Sequence, residues 1–191
     1  MLILVLGLIV FFGVHSIAIA APHWRERVVL RMGVNAWRGI YSIVSLLGFA
    51  LLLVGYAHAR RMPIVLYAPP AALRYLTFVL MLPVFPLLFA TYLPGRIQAA
   101  MKHPMLAAIK IWATAHLLAN GTLADVLLFG AFLLWAVVDR ISLKRRPQHP
   151  LSRLPRTQLN DAIAVVAGLG LYALFVASLH ALLIGVPLLA R

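Results

Sequence analysis

The sequence predicts an all-α integral membrane protein: a single-domain bundle (residues 1–191) of about six transmembrane helices with both termini outside. Three observations predict it. Apolar residues make up 64% of the 191 and charged residues only 11%, with mean hydropathy +0.99, where soluble domains carry roughly 25% charge. The apolar residues gather in runs that approach the ~20 needed to cross ~30 Å of hydrocarbon. The basic residues, which set a net charge of +13, lie between those runs, as in membrane-orienting loops. They share no soluble module, so nucleic acid is excluded as a partner and the lipid bilayer is the expected surrounding.

The spans follow in order. The first, Leu2–Ala21, has no Lys or Arg before it and has Arg25 and Arg27 after it, as in an anchor with its N-terminus outside. Ala18-Ile19-Ala20 resembles a signal cleavage site, but a signal peptide carries its basic residues in front. The second span is Ile40–Tyr56, and the third, Ala72–Tyr92, contains Pro83 and Pro86, which bend a helix where neighbours absorb the freed carbonyls. The fourth, Met105–Ala119, is short and carries Lys110, Thr114 and His116, so it is expected against other helices rather than lipid. Leu123–Ile141 and Ala162–Val186 complete the six. Pro69-Pro70, Pro94-Gly95, Asn120-Gly121 and Pro147 to Pro150 are the turn signals between spans.

Loop charges orient the chain. Arg25, Arg27, Arg31 and Arg38 lie in the first loop, Arg96 and Lys102 in the third, and Arg140, Lys144, Arg145, Arg146, Arg153 and Arg156 in the fifth. That is twelve, against four (Arg60, Arg61, Arg74 and Arg191) on the other side. The first, third and fifth loops are therefore expected in the cytoplasm.

Histidines inside apolar spans carry the chemical signal, because an ionisable group in lipid is expensive and marks a functional site by default. His15 lies within Phe11-Phe12-Gly13-Val14-His15-Ser16, and His116 lies three turns into the fourth span with Trp112 one turn earlier on the same face. Neutral imidazole is the commonest nitrogen ligand for metals and for haem iron. Two such histidines on separate helices can hold one iron from opposite faces, and Gly13, Ala113 and Ala115 can admit a planar macrocycle. The plainer readings are a hydrogen bond from His15 to a carbonyl that ties two helices together, and ordinary close packing at the small residues.

The other histidines read differently. His23 and His149 fall in basic loops, His58 at the outer mouth of the second span, and His103 before Pro104, where it caps the fourth helix or meets an interface. His180 is a reserve ligand nearer the outer face. Lys110 either snorkels to the interface or meets an acid or a haem propionate. Arg38 and Arg96 at span mouths suit a cofactor carboxylate or lipid phosphate. Four acids, scattered, exclude a carboxylate metal cluster, and the absence of cysteine excludes thiolate ligation, iron–sulfur clusters and covalent haem attachment.

At these residues the chain resembles the NnrU family of bacterial inner-membrane proteins along nearly its whole length. The matching pieces are Phe12-Gly13-Val14-His15-Ser16, Trp37-Arg38-Gly39-Ile40-Tyr41-Ser42-Ile43-Val44-Ser45, His103-Pro104-Met105 and Lys110-Ile111-Trp112-Ala113-Thr114-Ala115-His116 through Gly121. Phe129-Gly130 to Asp139-Arg140 completes the set. The resemblance implies a role in nitrogen-oxide metabolism and denitrification. It also implies kinship with plant 15-cis-ζ-carotene isomerase, in which histidines of the matching segments bind haem b. Carried over, the ligands are His15 and His116, with an isomerase-like redox reaction and a redox partner in the same membrane; beside them Trp112, Arg38 and Lys110 are the cofactor-binding candidates that the residues themselves suggest. One departure bears on the chemistry: the isomerase has a cysteine where this chain has Ala113, so a thiolate-for-imidazole exchange has no donor.

A second likeness gives an alternative. Lys102-His103-Pro104-Met105 is similar to the Arg-His-Pro signature of membrane methyltransferases that use S-adenosylmethionine. Those enzymes carry a later glutamate, whereas the only glutamate here is Glu26.

Overall fold

A computed structural model describes residues 1–146 and 154–189. Pro147, His149, Pro150, Arg153 and Arg191, read above as turn, loop and terminal residues, lie outside the described residues. The described chain is helical apart from turns and one isolated antiparallel bridge, Val65 with Thr122. Four helical stretches are long and apolar enough to cross a membrane: Leu2–Ala20, Val34–Ala59, Ala72–Tyr92 and Gln158–Ile184. Their outward residues are apolar too, with Leu2 82% and Val166 72% exposed. Such surfaces suit lipid and not water, so this is a membrane protein. The chain divides into two compact units, Met1–Tyr67 with Thr122–Ala131, and Ala68–Gly121 with Phe132–Arg191.

In the first unit, α1 (Leu2–Ala20) is followed by α2 (Pro22–Met32) and α3 (Val34–Ala59). The stretch read as a basic loop from sequence is therefore mostly helix, and α3 begins six residues before the expected Ile40. Pro22 stands at the first position of α2, where its fixed φ and missing N–H cost nothing. Gly33, at φ +86, separates α2 from α3, a conformation that L side chains rarely adopt.

Glycine also decides how α1 meets α3. A Cβ on Gly55 would stand 2.4 Å from the Leu4 amide nitrogen, one on Gly7 2.7 Å from that of Leu52, and one on Gly48 2.7 Å from that of Phe11. The pairs descend one helix as they climb the other, so α1 and α3 run antiparallel with their backbones in contact. Close approach through small residues is the usual source of helix affinity where lipid removes the hydrophobic drive.

The unit also contains the start of α8 (Leu123–Ser142), held by the Leu123 amide donating to the Ile64 carbonyl at 2.8 Å. Thr122 and Asp125 form a reciprocal cap. The Thr122 amide donates to Asp125 Oδ2 at 2.9 Å, and the Asp125 amide donates to the Thr122 hydroxyl at 3.3 Å.

In the second unit the third expected span is broken. It forms α4 (Ala72–Met81) and α5 (Val84–Tyr92), parted at Leu82-Pro83. Pro83 and Pro86 cannot donate to the preceding turn, and both fit at the start of a new helix. Pro94-Gly95 leads into a short α6 (Arg96–Met101), followed by α7 (Pro104–Ala119). The last span is α9 (Gln158–Leu174), a π-helical turn at Phe175–Leu179, and α10 (His180–Ile184), ended by Gly185 at φ +79. It starts four residues before Ala162, because the Thr157 hydroxyl accepts from the Asn160 amide and fixes the first turn.

Polar side chains tie this unit's helices. The Thr77 hydroxyl reaches the Ala115 carbonyl at 3.0 Å, and the Tyr172 hydroxyl donates to the Phe78 carbonyl at 2.9 Å. Gly168 lets α9 lie against Pro86, 2.4 Å from where its Cβ would stand. Val84, Leu87 and Ala108 form a buried core flanked by Ile111 and Trp112.

Candidate functional site

His15 lies in the first unit, just over one turn from the end of α1, half-buried. Its Nδ1–H donates to the Phe11 carbonyl at 2.7 Å, and its ring stacks on Phe11 at 4.1 Å between centroids. This carbonyl is on the histidine's own helix, one turn back, rather than on a neighbouring one. With the proton on Nδ1, a neutral ring keeps its lone pair on Nε2, the basic nitrogen that binds a metal.

The ring opens on a groove of about 370 Å³ between α1 and α3, lined by Phe11, Tyr41, Ser42, Ser45, Leu46 and Phe49. Tyr41 stands 5.3 Å from the imidazole by centroids. The Ser45 hydroxyl is buried without a hydrogen-bond partner. Tyr41, Ser42 and Ser45 share one stripe of α3 by helical spacing, and Arg38 continues it towards the helix start. Arg38 itself is exposed.

His116 lies in the second unit, one turn before the end of α7, and repeats the pattern. Its Nδ1–H donates to the Trp112 carbonyl at 2.8 Å, with the indole 5.3 Å away by centroids. Trp112 meets Phe132 edge-on at 5.3 Å. The Asn120 side chain donates to the His116 carbonyl at 2.9 Å, closing the end of the helix. Lys110 is half-buried on the same helix. His15, Tyr41, Ser42 and Ser45 are thus gathered in one unit, and Lys110, Trp112 and His116 on one helix of the other.

The small residues behave differently from one another. Ala113 and Ala115 are fully buried, and the Ala115 carbonyl takes the Thr77 hydroxyl, so they serve packing. A Cβ on Gly13 would meet nothing within 4 Å. Yet Gly13 lies two residues from His15, about 200° around the helix, and opens no space on the imidazole's side.

His103 occupies the position before α7, but its side chain makes no cap bond there. Just before it Lys102 holds φ +58, in a tight turn closed by the His103 amide on the Met101 carbonyl at 2.6 Å. A left-handed lysine of this kind is strained and needs surrounding structure to hold it. Partial burial and the nearby Arg140 guanidinium hold the His103 imidazole below its ordinary value. Asp139, also nearby, pairs with Arg146. His180 donates from Nδ1 to the Val186 carbonyl at 2.8 Å, which folds the end of the span back on itself. His23 and His58 are exposed.

Two carboxylates have roles that the sequence reading missed. Asp125, buried at 4% exposure, accepts the Tyr56 hydroxyl at 2.6 Å and the Thr122 hydroxyl at 2.6 Å, fastening α3 to the start of α8. The Thr-x-x-Asp spacing was a legible signal for its cap, though not for Tyr56. Asp161 accepts the Arg96 amide at 2.7 Å and the Ile97 amide at 3.0 Å, so it caps α6 from a distant helix. Gly95 leaves room for it: a Cβ there would stand 2.2 Å from the carboxylate. No local pattern signals a partner more than sixty residues away.

Among the described residues no three His, Asp or Glu side chains gather to hold a metal ion, so the donors in the spans are single imidazoles. That donor chemistry fits haem b, which takes one imidazole nitrogen on each face and needs no cage. No curated protein and no solved structure matches the chain. The family of the NnrU protein matches it over residues 3–188, nearly its whole length, and the chain belongs to the NnrU family.

Proposed function

We propose that this membrane protein binds one haem b, which His15 and His116 would hold, and that it acts in nitrogen-oxide metabolism at the bacterial cytoplasmic membrane. The observation that carries the reading is the hydrogen bond that the two histidines share. Each commits Nδ1 to the carbonyl of the aromatic residue one turn back, His15 stacked on Phe11 and His116 tilted against Trp112. This is the tautomer that offers Nε2 to iron, and the carbonyl plays the orienting role that ligating histidines need. Haem, when bound, supplies redox or small-ligand chemistry, and the chain supplies ligation, orientation and exclusion of water. Ser42 offers a hydroxyl along the groove, and Arg38 a cation at its mouth. The same proposal has six spans with both termini outside. Pyridine haemochrome assay of detergent-purified protein tests it. Non-covalent haem b at one per chain is expected, and a protein expressed with ample haem that carries none rules the reading out.

A second reading, a pocket for S-adenosylmethionine at His103-Pro104, draws on the strained Lys102 turn, since such strain gathers at ligand clamps. Calorimetry separates the two: saturable S-adenosylmethionine binding by haem-free protein supports the second reading and removes the first.

A further inference from the structure

α2 joins α1 and α3, each long and apolar enough to cross a membrane, with one residue at either junction, Ala21 and Gly33. Because α1 and α3 run antiparallel, α2 must emerge at a single membrane face, close to the ends of both. It is 11 residues long with none buried, and Leu30 is 78% exposed. A helix that short is marginal in water on its own. Beyond its contacts with α3, its exposed side is left for a surface outside the chain.

Its side chains say which surface. Trp24 and the half-buried Val28, one turn apart, lie on the side turned towards α3, and Arg27, Leu30 and Arg31 lie together on the exposed side. Trp24 packs edge-on against Trp37 at 6.1 Å, and Arg25 lies 5.9 Å over the Trp37 ring, which anchors one side of α2 to α3. Arg27 and Arg31 remain exposed, with Glu26 the one acid on the helix. Apolar and aromatic side chains beside exposed arginines, on a helix between two spans, are the pattern of an in-plane interfacial helix. We infer that α2 lies in the membrane surface and that Arg27 and Arg31 bind the phosphate headgroups of anionic phospholipids.

The sequence makes the test clean. The chain has no cysteine, so Leu30→Cys gives one site for a bimane label in the full-length protein. The labelled protein is reconstituted in phosphatidylcholine vesicles containing equal mole fractions of either brominated phosphatidylcholine or brominated phosphatidylglycerol. Stronger quenching by the brominated phosphatidylglycerol is expected, by roughly threefold, with little access for aqueous iodide. Arg27→Gln with Arg31→Gln should bring the two lipids to parity. Equal quenching in the parent protein, or iodide access with no quenching by either lipid, overturns the inference. So does a preference that survives the double substitution. If the double variant fails to fold, the lipid contrast in the parent protein decides alone.

Discussion

At the scale of single residues, His15 and His116 are each oriented by their own helix. The carbonyl one turn back accepts a hydrogen bond from Nδ1–H, the tautomer with its lone pair on Nε2, whereas His180 bonds the Val186 carbonyl instead. Asp125 shows the opposite case, where meaning comes from afar. It holds Tyr56 and Thr122 together, and Asp125→Ala should leave a buried phenol and amide without acceptors. A loss of about 2–4 kcal/mol is expected, read as a drop in the unfolding midpoint in detergent, and Tyr56→Phe should lose a fraction of that. A neutral outcome for Asp125→Ala would mean that water replaces the carboxylate. His103 adds a pH dependence. Folding holds its imidazole below the ordinary value near 6.5, so the folded state favours the neutral form. Its contribution is full above that value and declines as pH falls through it. Acidification from pH 8 to 5 should therefore lower the stability of the parent protein more than that of His103→Gln, by a small amount because the ring is only partly buried. Equal pH slopes contradict this.

At the scale of helices, the first unit rests on glycine contacts between α1 and α3. Gly55→Leu would place a side chain inside the Leu4 backbone, and overpacking of this kind costs about 1–3 kcal/mol. Gly170→Ala, where a Cβ meets nothing within 4 Å, should be tolerated. Thermal unfolding of the two variants in the same detergent gives the comparison, and equal midpoints would remove the contact as a source of stability. Every apolar run read from the sequence is helical, since mean apolarity over some twenty residues is a strong signal. The helices that the sequence reading missed, α2 and α6, are short, α2 also polar, so their signals rest on Pro22 and Gly33 or on the remote Asp161 rather than on a long apolar run. The division of the third span into α4 and α5 was legible as a bend at Pro83 and Pro86. The glycine seam was not, because Gly7, Gly48 and Gly55 declare themselves only once the two helices are paired.

At the scale of the whole molecule, the charge asymmetry of the loops sets an expected orientation. A phosphatase fused after residue 191 should be active outside the cell, and one inserted beside Arg146 should be silent. The reverse result would overturn the expected orientation, through an inverted bundle or through an odd number of crossings in which the 16-residue α7 does not span. The candidate ligands were legible in the sequence because imidazole in apolar surroundings is rare and costly. Their neighbours Tyr41, Ser42 and Ser45 were not singled out, because hydroxyls on a long apolar helix read as ordinary until the α1–α3 pairing places them beside His15. The proposal that both histidines ligate one haem is tested most directly by the electron paramagnetic resonance spectrum of the oxidised, purified protein beside His15→Ala and His116→Ala. A low-spin bis-imidazole signal is expected from the parent protein, and a high-spin signal or loss of haem from each variant. A low-spin signal that survives unchanged in either variant contradicts the account and leaves that histidine a structural hydrogen-bond donor.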